Sequence, residues 1–195
     1  MRFVRPSFFT LSFALIAGLL PYGRPVAATE YTIDPAHSFV EFRILHLGYT
    51  WLYGRFNRFS GEFQYDPANP AANRISVELD ADSVDTRHAE RDKDLRSERF
   101  LNTATFPKAS FKSTRYEGTV ESGKLHGQLT VHGVTRPIVI EVEKIGEGPD
   151  PWGGYRAGFL GKYTMTRSNF GIDQDLGPKS TTVELTLSVE GIRKK

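Results

Sequence analysis

Asp34, His37 and Ser38 place an acid, an imidazole and a hydroxyl in one short segment, the set from which a nucleophilic triad is built. Three groups that close along an extended chain do not aim at one another, and no Gly-x-Ser-x-Gly elbow is present, so catalysis is not expected there. The five histidines are His37, His46, His88, His126 and His132, and none forms a His-x-His or His-x-x-x-His pair. His126 and His132 share the outward side of one extended segment and read as a solvated surface pair. Arg167, Ser168 and Asn169 ahead of Phe170 offer donors to a phosphate or hydroxyl, although the same residues serve a turn equally well. The glycines of Gly146 to Gly154 (GEGPDPWGG) are interrupted by prolines where a phosphate cradle needs backbone N–H groups. No enzyme is expected, and no cofactor.

The absence of cysteine excludes a disulfide, a lipid-modified N-terminal cysteine, a thiolate metal site and covalently attached haem. Arg2 and Arg5 precede an uncharged apolar run from Phe8 to Leu20, and Val26-Ala27-Ala28 supplies small residues before Thr29. Residues 1–28 therefore read as a secretory signal peptide and residues 29–195 as one domain exported to the periplasm. Three of the 25 basic residues, Arg2, Arg5 and Arg24, and none of the 23 acidic ones fall in that leader, so the remainder is close to neutral. No basic stripe with interleaved aromatics suggests nucleic acid.

These groups must be positioned by strands. In His37 to Tyr65 a period of two places Ser38, Val40, Phe42, Ile44 and His46 on one side, and after a break at Gly48 to Leu52 it returns with Phe59, Phe63 and Tyr65. Ile75, Val77, Leu79 and Ala81 alternate with polar neighbours, as do Ala109 and Phe111, Leu125, Leu129 and Val131, and Ile138, Ile140 and Val142. Two closing strands run through Ala157, Phe159, Tyr163 and Met165 and through Val183, Leu185, Leu187 and Val189. Gly146 to Gly154 reads as a long hairpin loop. Thr86 to Asn102 reads as the one helix, ended before Pro107, with Asp92 and Arg96 spaced for an ion pair on its surface. About eight strands and one helix suit a sandwich or a closed barrel; the in-strand glycines Gly54, Gly61, Gly127, Gly158 and Gly161 suit the tighter coiling of a barrel.

Five motifs are more specific than this pattern: Tyr31 to Phe42 (YTIDPAHSFVEF), His46 to Phe56 (HLGYTWLYGRF), Ser83 to Asp92 (SVDTRHAERD), Leu129 to Pro137 (LTVHGVTRP) and Asp150 to Gly154 (DPWGG). In this order they resemble the YceI family across Tyr31 to Gly191. The resemblance implies an all-β, lipocalin-like eight-stranded antiparallel barrel with one inserted α-helix. It implies binding, storage or transport of a polyisoprenoid or similar long-chain amphiphilic lipid in the lumen, and a homodimer. Transient contact with a membrane or membrane protein would accompany such a role. An accessory role in isoprenoid-quinone chemistry or electron transfer, and a fatty acid or fatty amide guest, are the alternatives. Asp94 stands where close relatives often carry histidine, so no histidine role is transferred to that position.

On this reading the lipid contacts are the inward residues Val40, Phe42, Ile44, His46, Phe59, Phe63, Val77, Leu79, Phe111, Leu129, Val131, Ile138, Ile140, Val142, Phe159, Tyr163, Leu185 and Leu187. Many are of modest size, which favours a tunnel over a solid core. Burying one CH₂ is worth about 0.8 kcal/mol, so a chain of roughly ten carbons offsets the ordering of a flexible tail. Tyr49, Trp51 and Tyr53 are assigned to the mouth, to a dimer surface or to core packing.

Overall fold

Alternation along the chain becomes a single antiparallel sheet in the computed structural model, which describes residues 28–195. Apart from Ala28, the expected leader lies outside the described residues. Among the described residues eleven strands form: β1 (Thr29–Ile33), β2 (Phe39–His46), β3 (Thr50–Phe56), β4 (Phe59–Tyr65), β5 (Arg74–Asp80), β6 (Val84–Asp85), β7 (Lys108–Gly118), β8 (Ser122–Val131), β9 (Val134–Pro149), β10 (Tyr155–Thr166) and β11 (Thr182–Arg193). Pairing runs β1-β4-β5-β7-β8-β9-β10-β11 and returns from β11 to β1, so eight strands close into a barrel. The remaining three form a branch. β11 shares its second edge between β1, at Gly191 to Arg193, and β2, at Glu184 to Ser188; β3 and β6 follow β2 outward.

At one end, termed upper, the β2–β3 loop, the β8–β9 turn, the segment after β10 and the one helix come together. Gly48 packs against the Lys179 stem, the Ser180 hydroxyl donates to the Leu45 carbonyl, and Phe106 meets His132 edge-on at 4.7 Å between ring centres. The lower end holds the β7–β8 and β9–β10 turns and the start of β1.

Four sequence expectations are corrected by the structure. Helix α1 spans only Ala89–Arg96, because Arg87 adopts a left-handed φ of 64° and His88 caps the helix, its ring Nδ1 accepting from the Arg91 amide. At the other end Ser97 turns extended and its hydroxyl donates to the Asp94 carbonyl. Asp92 does not pair with Arg96: it is buried and accepts from the Thr86 amide at 2.8 Å, while Arg96 donates to the Asp82 and Val84 carbonyls. Thr50 to Phe56, read partly as a break, is strand β3, in register with β2 from Val40↔Phe56 to His46↔Thr50. The expected loop from Gly146 is shorter than its nine residues, since β9 continues to Pro149 and only Asp150 to Gly154 turn.

Two in-strand glycines have a simpler reason than coiling. A Cβ on Gly54 would lie 2.2 Å from the Phe42 ring, and one on Gly127 would lie 2.4 Å from the Phe111 ring. Each glycine gives an inward phenylalanine the space to lie across the neighbouring strand.

The lower seam is closed by charge as well as by the ladder. Arg156 on β10 donates to Asp34 at 2.8 Å and to Asp150 at 3.0 Å and is ion-paired with Glu190 on β11, which ties the turn after β1 to both strands. Hydrogen bonds from His37 and then Arg156 hold the Asp34 carboxyl down to about 2, against an ordinary value of 3.8. A carboxyl depressed on folding contributes stability that is complete above its unfolded value and disappears as pH falls through its folded one. The Asp34 contribution is therefore whole above about pH 4 and is lost toward pH 2. Asp34→Asn should lower the unfolding midpoint at neutral pH and flatten the fall between pH 4 and 2, as read by denaturant titration across that range; an unchanged acid limb would refute the assignment.

Candidate functional site: an apolar cavity along the barrel

Side chains from the inner face of the barrel do not meet across its axis. They leave a cavity of about 480 Å³, within the range of roughly 300–1,000 Å³ typical of small-molecule sites, and its wall is almost wholly apolar. β5 contributes Val77 and Leu79; β9 contributes Ile138, Ile140 and Val142; β11 contributes Leu185 and Leu187. Phe63 lies on β4, Phe111 on β7, Leu129 and Val131 on β8, and Phe159 and Tyr163 on β10. The branch adds Val40, Phe42, Ile44 and His46 from β2, with His46 exposed at the upper end.

One residue of the expected set does not reach the cavity. Phe59 has the parity of Phe63 and Tyr65, yet it packs with the cluster of Tyr31, Ile33, Phe63, Tyr65 and Ala157 and is not part of the wall. In that cluster Tyr31 stacks on Phe63 at 4.8 Å, and Phe159 meets both Phe63 and Tyr65 edge-on. Aromatic surface that alternation alone assigns to a ligand is here satisfied by the protein.

Other wall residues carry no alternating signal. Leu52 and Phe56 come from β3, Leu95 from α1, Phe100, Leu101 and Phe106 from the turns after it, and Ile172 and Leu176 from the segment before β11. The two segments that cap the upper end are irregular. Their apolar residues were visible in composition, but their meeting depends on contacts between distant parts of the chain, such as Arg99 with Gln174 at 3.4 Å.

Asp34, His37 and Ser38 occupy a turn rather than an extended segment, and His37 Nδ1 lies 2.8 Å from Asp34. Ser38 still points elsewhere: its hydroxyl donates to the Glu190 carbonyl at 3.1 Å and accepts from the Glu190 amide at 2.9 Å. Asp34, His37 and Glu190 cluster closely enough to hold a metal ion, but both carboxylates already take the Arg156 guanidinium. Asp94 lines the upper end and pairs with Arg99 at 3.1 Å.

Arg167 is a structural residue. It is only 8% exposed and begins a 3-10 turn, Arg167–Phe170; its guanidinium donates to the carbonyls of Ser180, Ile172 and Gln174, so it knits the segment before β11 to the end of β10. Burial pushes its pKa down, with Asp173 and Asp175 opposing the shift. Burial likewise raises the phenol of Tyr163, which keeps that wall residue neutral.

His126 is outward as expected, 3.0 Å from Glu117. His132 is not. It occupies the first position of the β8–β9 turn, where His132 and Gly133 have φ of 52° and 73°, as a two-residue type I′ turn requires. That backbone breaks the alternation, and the ring joins the cavity wall.

Tyr49, in the β2–β3 loop, is 86% exposed and Tyr53 on β3 is also exposed, which excludes core packing for both. Trp51 is half-buried beneath the Arg43 guanidinium, 4.2 Å from its ring centre.

With this geometry in place, the similarity to known proteins is specific. The sequence profile of the YceI-like domain matches residues 31–191. The chain belongs to the YceI family. A UPF0312 protein of Pseudomonas aeruginosa is 53% identical over 183 residues, covering 93% of this chain and 95% of that protein. Another from Yersinia enterocolitica is 50% identical over 188 residues, covering 95% and 98%. Among solved structures, the Campylobacter jejuni YceI protein superposes with a TM-score of 0.70 at 25% identity, covering 95% of this chain and all of that one. A polyisoprenoid binding domain from Saccharophagus degradans superposes with a TM-score of 0.63 at 17% identity, covering 84% and 98%, and shares the fold. The YceI barrel is thus the architecture of this chain, with the cavity along its axis.

Filling the cavity tests whether it is a binding space. Val131→Trp places an indole in the wall at a cost of about 1–3 kcal/mol from overpacking. The expected outcome is a folded barrel, by circular dichroism and a cooperative melt, that no longer takes up an apolar fluorescent probe bound by the wild type; undiminished uptake would remove the cavity as the site.

Proposed function

We propose that this chain is a periplasmic carrier that binds, stores or transports a polyisoprenoid or similar long-chain amphiphilic lipid in its barrel, without catalysing a reaction. The observation that carries the reading is the cavity itself: it extends from His46 at the upper end to Tyr65 at the lower, and seven of the eight ring strands, all but β1, line it with aliphatic and aromatic groups. Such a wall offers a chain-like guest continuous apolar burial and few directional contacts. Affinity then grows with the number of methylenes enclosed, by about 0.8 kcal/mol each. Membership of the YceI family, and the name of the Saccharophagus degradans relative as a polyisoprenoid binding domain, support the choice of guest. Export by the leader at residues 1–28 would bring the carrier to the compartment between two membranes, where an apolar molecule needs a water-soluble shelter to move.

Native mass spectrometry of protein purified from the periplasm is the direct test. The expected result is a bound species whose mass fits a series of five-carbon units, recovered in an organic extract of the denatured protein. A straight-chain fatty acid or amide mass would keep the carrier and change its guest. Protein that arrives empty and takes up no supplied polyprenol would end the reading.

A further inference from the structure

Arg91, on α1, is a charged residue in the wall of an otherwise apolar cavity, and no carboxylate pairs with it among the described residues. It is nevertheless held in place. Its Nε donates to the Thr86 hydroxyl oxygen at 2.7 Å, and its Nη2 donates to the Thr86 carbonyl at 2.7 Å. Thr86 is fixed in turn by Asp92: the Thr86 amide, at 2.8 Å, and the Thr86 hydroxyl both donate to one carboxylate oxygen, and both residues are buried. A buried, bonded pair thus orients a guanidinium that is itself half-buried.

A guanidinium is planar, carries a fixed positive charge and presents its donors along separate edges. Thr86 occupies the edge made by Nε and Nη2. The end made by Nη1 and the second hydrogen of Nη2 meets no acceptor among the described residues. Nη1 is also open: the unbonded side-chain atoms closed off from solvent there are the Tyr65 hydroxyl and His132 Nε2, and Nη1 is not one of them. Arg167 gives the contrast within the same wall, since its Nε is taken by the Ser180 carbonyl and its Nη1 and Nη2 end by the Gln174 carbonyl. Asp94, further along α1 and also in the wall, pairs with Arg99 at 3.1 Å, so its charge is already met.

We propose that Arg91 anchors the head group of the guest, and that this head group is an oxyanion, a carboxylate or a phosphate monoester at the end of a long apolar chain. The inference rests on the lipid-carrier reading above and gives it a direction: the charged end sits at the upper end beside α1, and the tail runs down toward Phe63 and Tyr65. Two oxygens of one oxyanion match the paired N–H groups of the free end and neutralise its charge. A single alcohol or ester oxygen occupies one donor and leaves the charge unmet. The orienting role falls to Thr86 and Asp92, which hold the fork in place before the guest arrives.

The experiment measures matched pairs by displacement of an uncharged fluorescent probe: geranylgeranyl phosphate against geranylgeraniol, and palmitate against hexadecanol. Hydrogen bonds to a charged group correspond to an anion binding about ten- to a hundredfold more tightly than its alcohol. A gain in either pair supports the anchor, and the pair that shows it names the head. Arg91→Gln should bring each anion down to the affinity of its alcohol and leave the alcohols unchanged; Arg91→Lys, which keeps the charge without the fork, should retain part of the gain. A residue that only braced Thr86 would weaken anion and alcohol alike. Should both variants unfold, modification of the wild type by phenylglyoxal, mapped by peptide mass, decides: Arg91 shielded more by the phosphate than by an equally bound alcohol supports the anchor, and equal reactivity overturns it. Anions bound no more tightly than alcohols, or a preference that survives in Arg91→Gln, overturn the head-group assignment and leave the carrier intact. Binding of none of the four compounds overturns both.

Discussion

Closure of the sheet is the constraint from which the rest follows. Once β11 returns to β1, the eight strands of the ring have no exposed edge to satisfy, and every inward residue faces a space whose width is set by strand number rather than by side-chain volume. Here aliphatic residues of modest size dominate the wall, and the larger rings are drawn aside. Phe42 lies over Gly54, Phe111 over Gly127, and Phe63 is stacked on Tyr31. The cavity is what remains after the aromatics have been accommodated against glycine and against each other.

Polar chemistry is correspondingly confined to the ends. At the lower end Arg156 gathers Asp34, Asp150 and Glu190; at the upper end Arg167 gathers backbone carbonyls. Both arginines fix chain segments that seal the barrel, and neither is left as a free charge. A site organised in this way suits holding an apolar molecule better than transforming one.

Much of the wall was legible because it lies on strands with one wet face, where parity alone separates inside from outside. β3 was less so: Trp51 and Tyr53 on its outer face are as apolar in type as Leu52 and Phe56 on its inner face, and Gly54 resembles a bend, so the period of two has little contrast. Phe59 shows the complementary limit. Its parity is that of a wall residue, but whether an inward ring faces a cavity or another ring is decided by its neighbours. The short helix and the segments around Phe106 and Ile172 were hidden for a further reason: their positions depend on caps and on arginine bonds to distant carbonyls, which leave no period in the sequence. His132 was misplaced because alternation cannot be carried through a left-handed turn.

The ladders that build the barrel are of unequal length, and this grades how firmly each part of the wall is held. β10 and β11 pair without interruption from Arg156↔Ile192 to Thr166↔Thr182, whereas β6 joins β3 through Arg55↔Asp85 and Phe56↔Val84 alone. Amide protons in the long ladder can exchange with solvent deuterium only when the whole domain opens, while those of the outer branch are released by local fraying. The molecule therefore has a firmly held ladder in β10 and β11 and, branching from β11 through β2, a flank whose outermost pairing is held by far fewer hydrogen bonds.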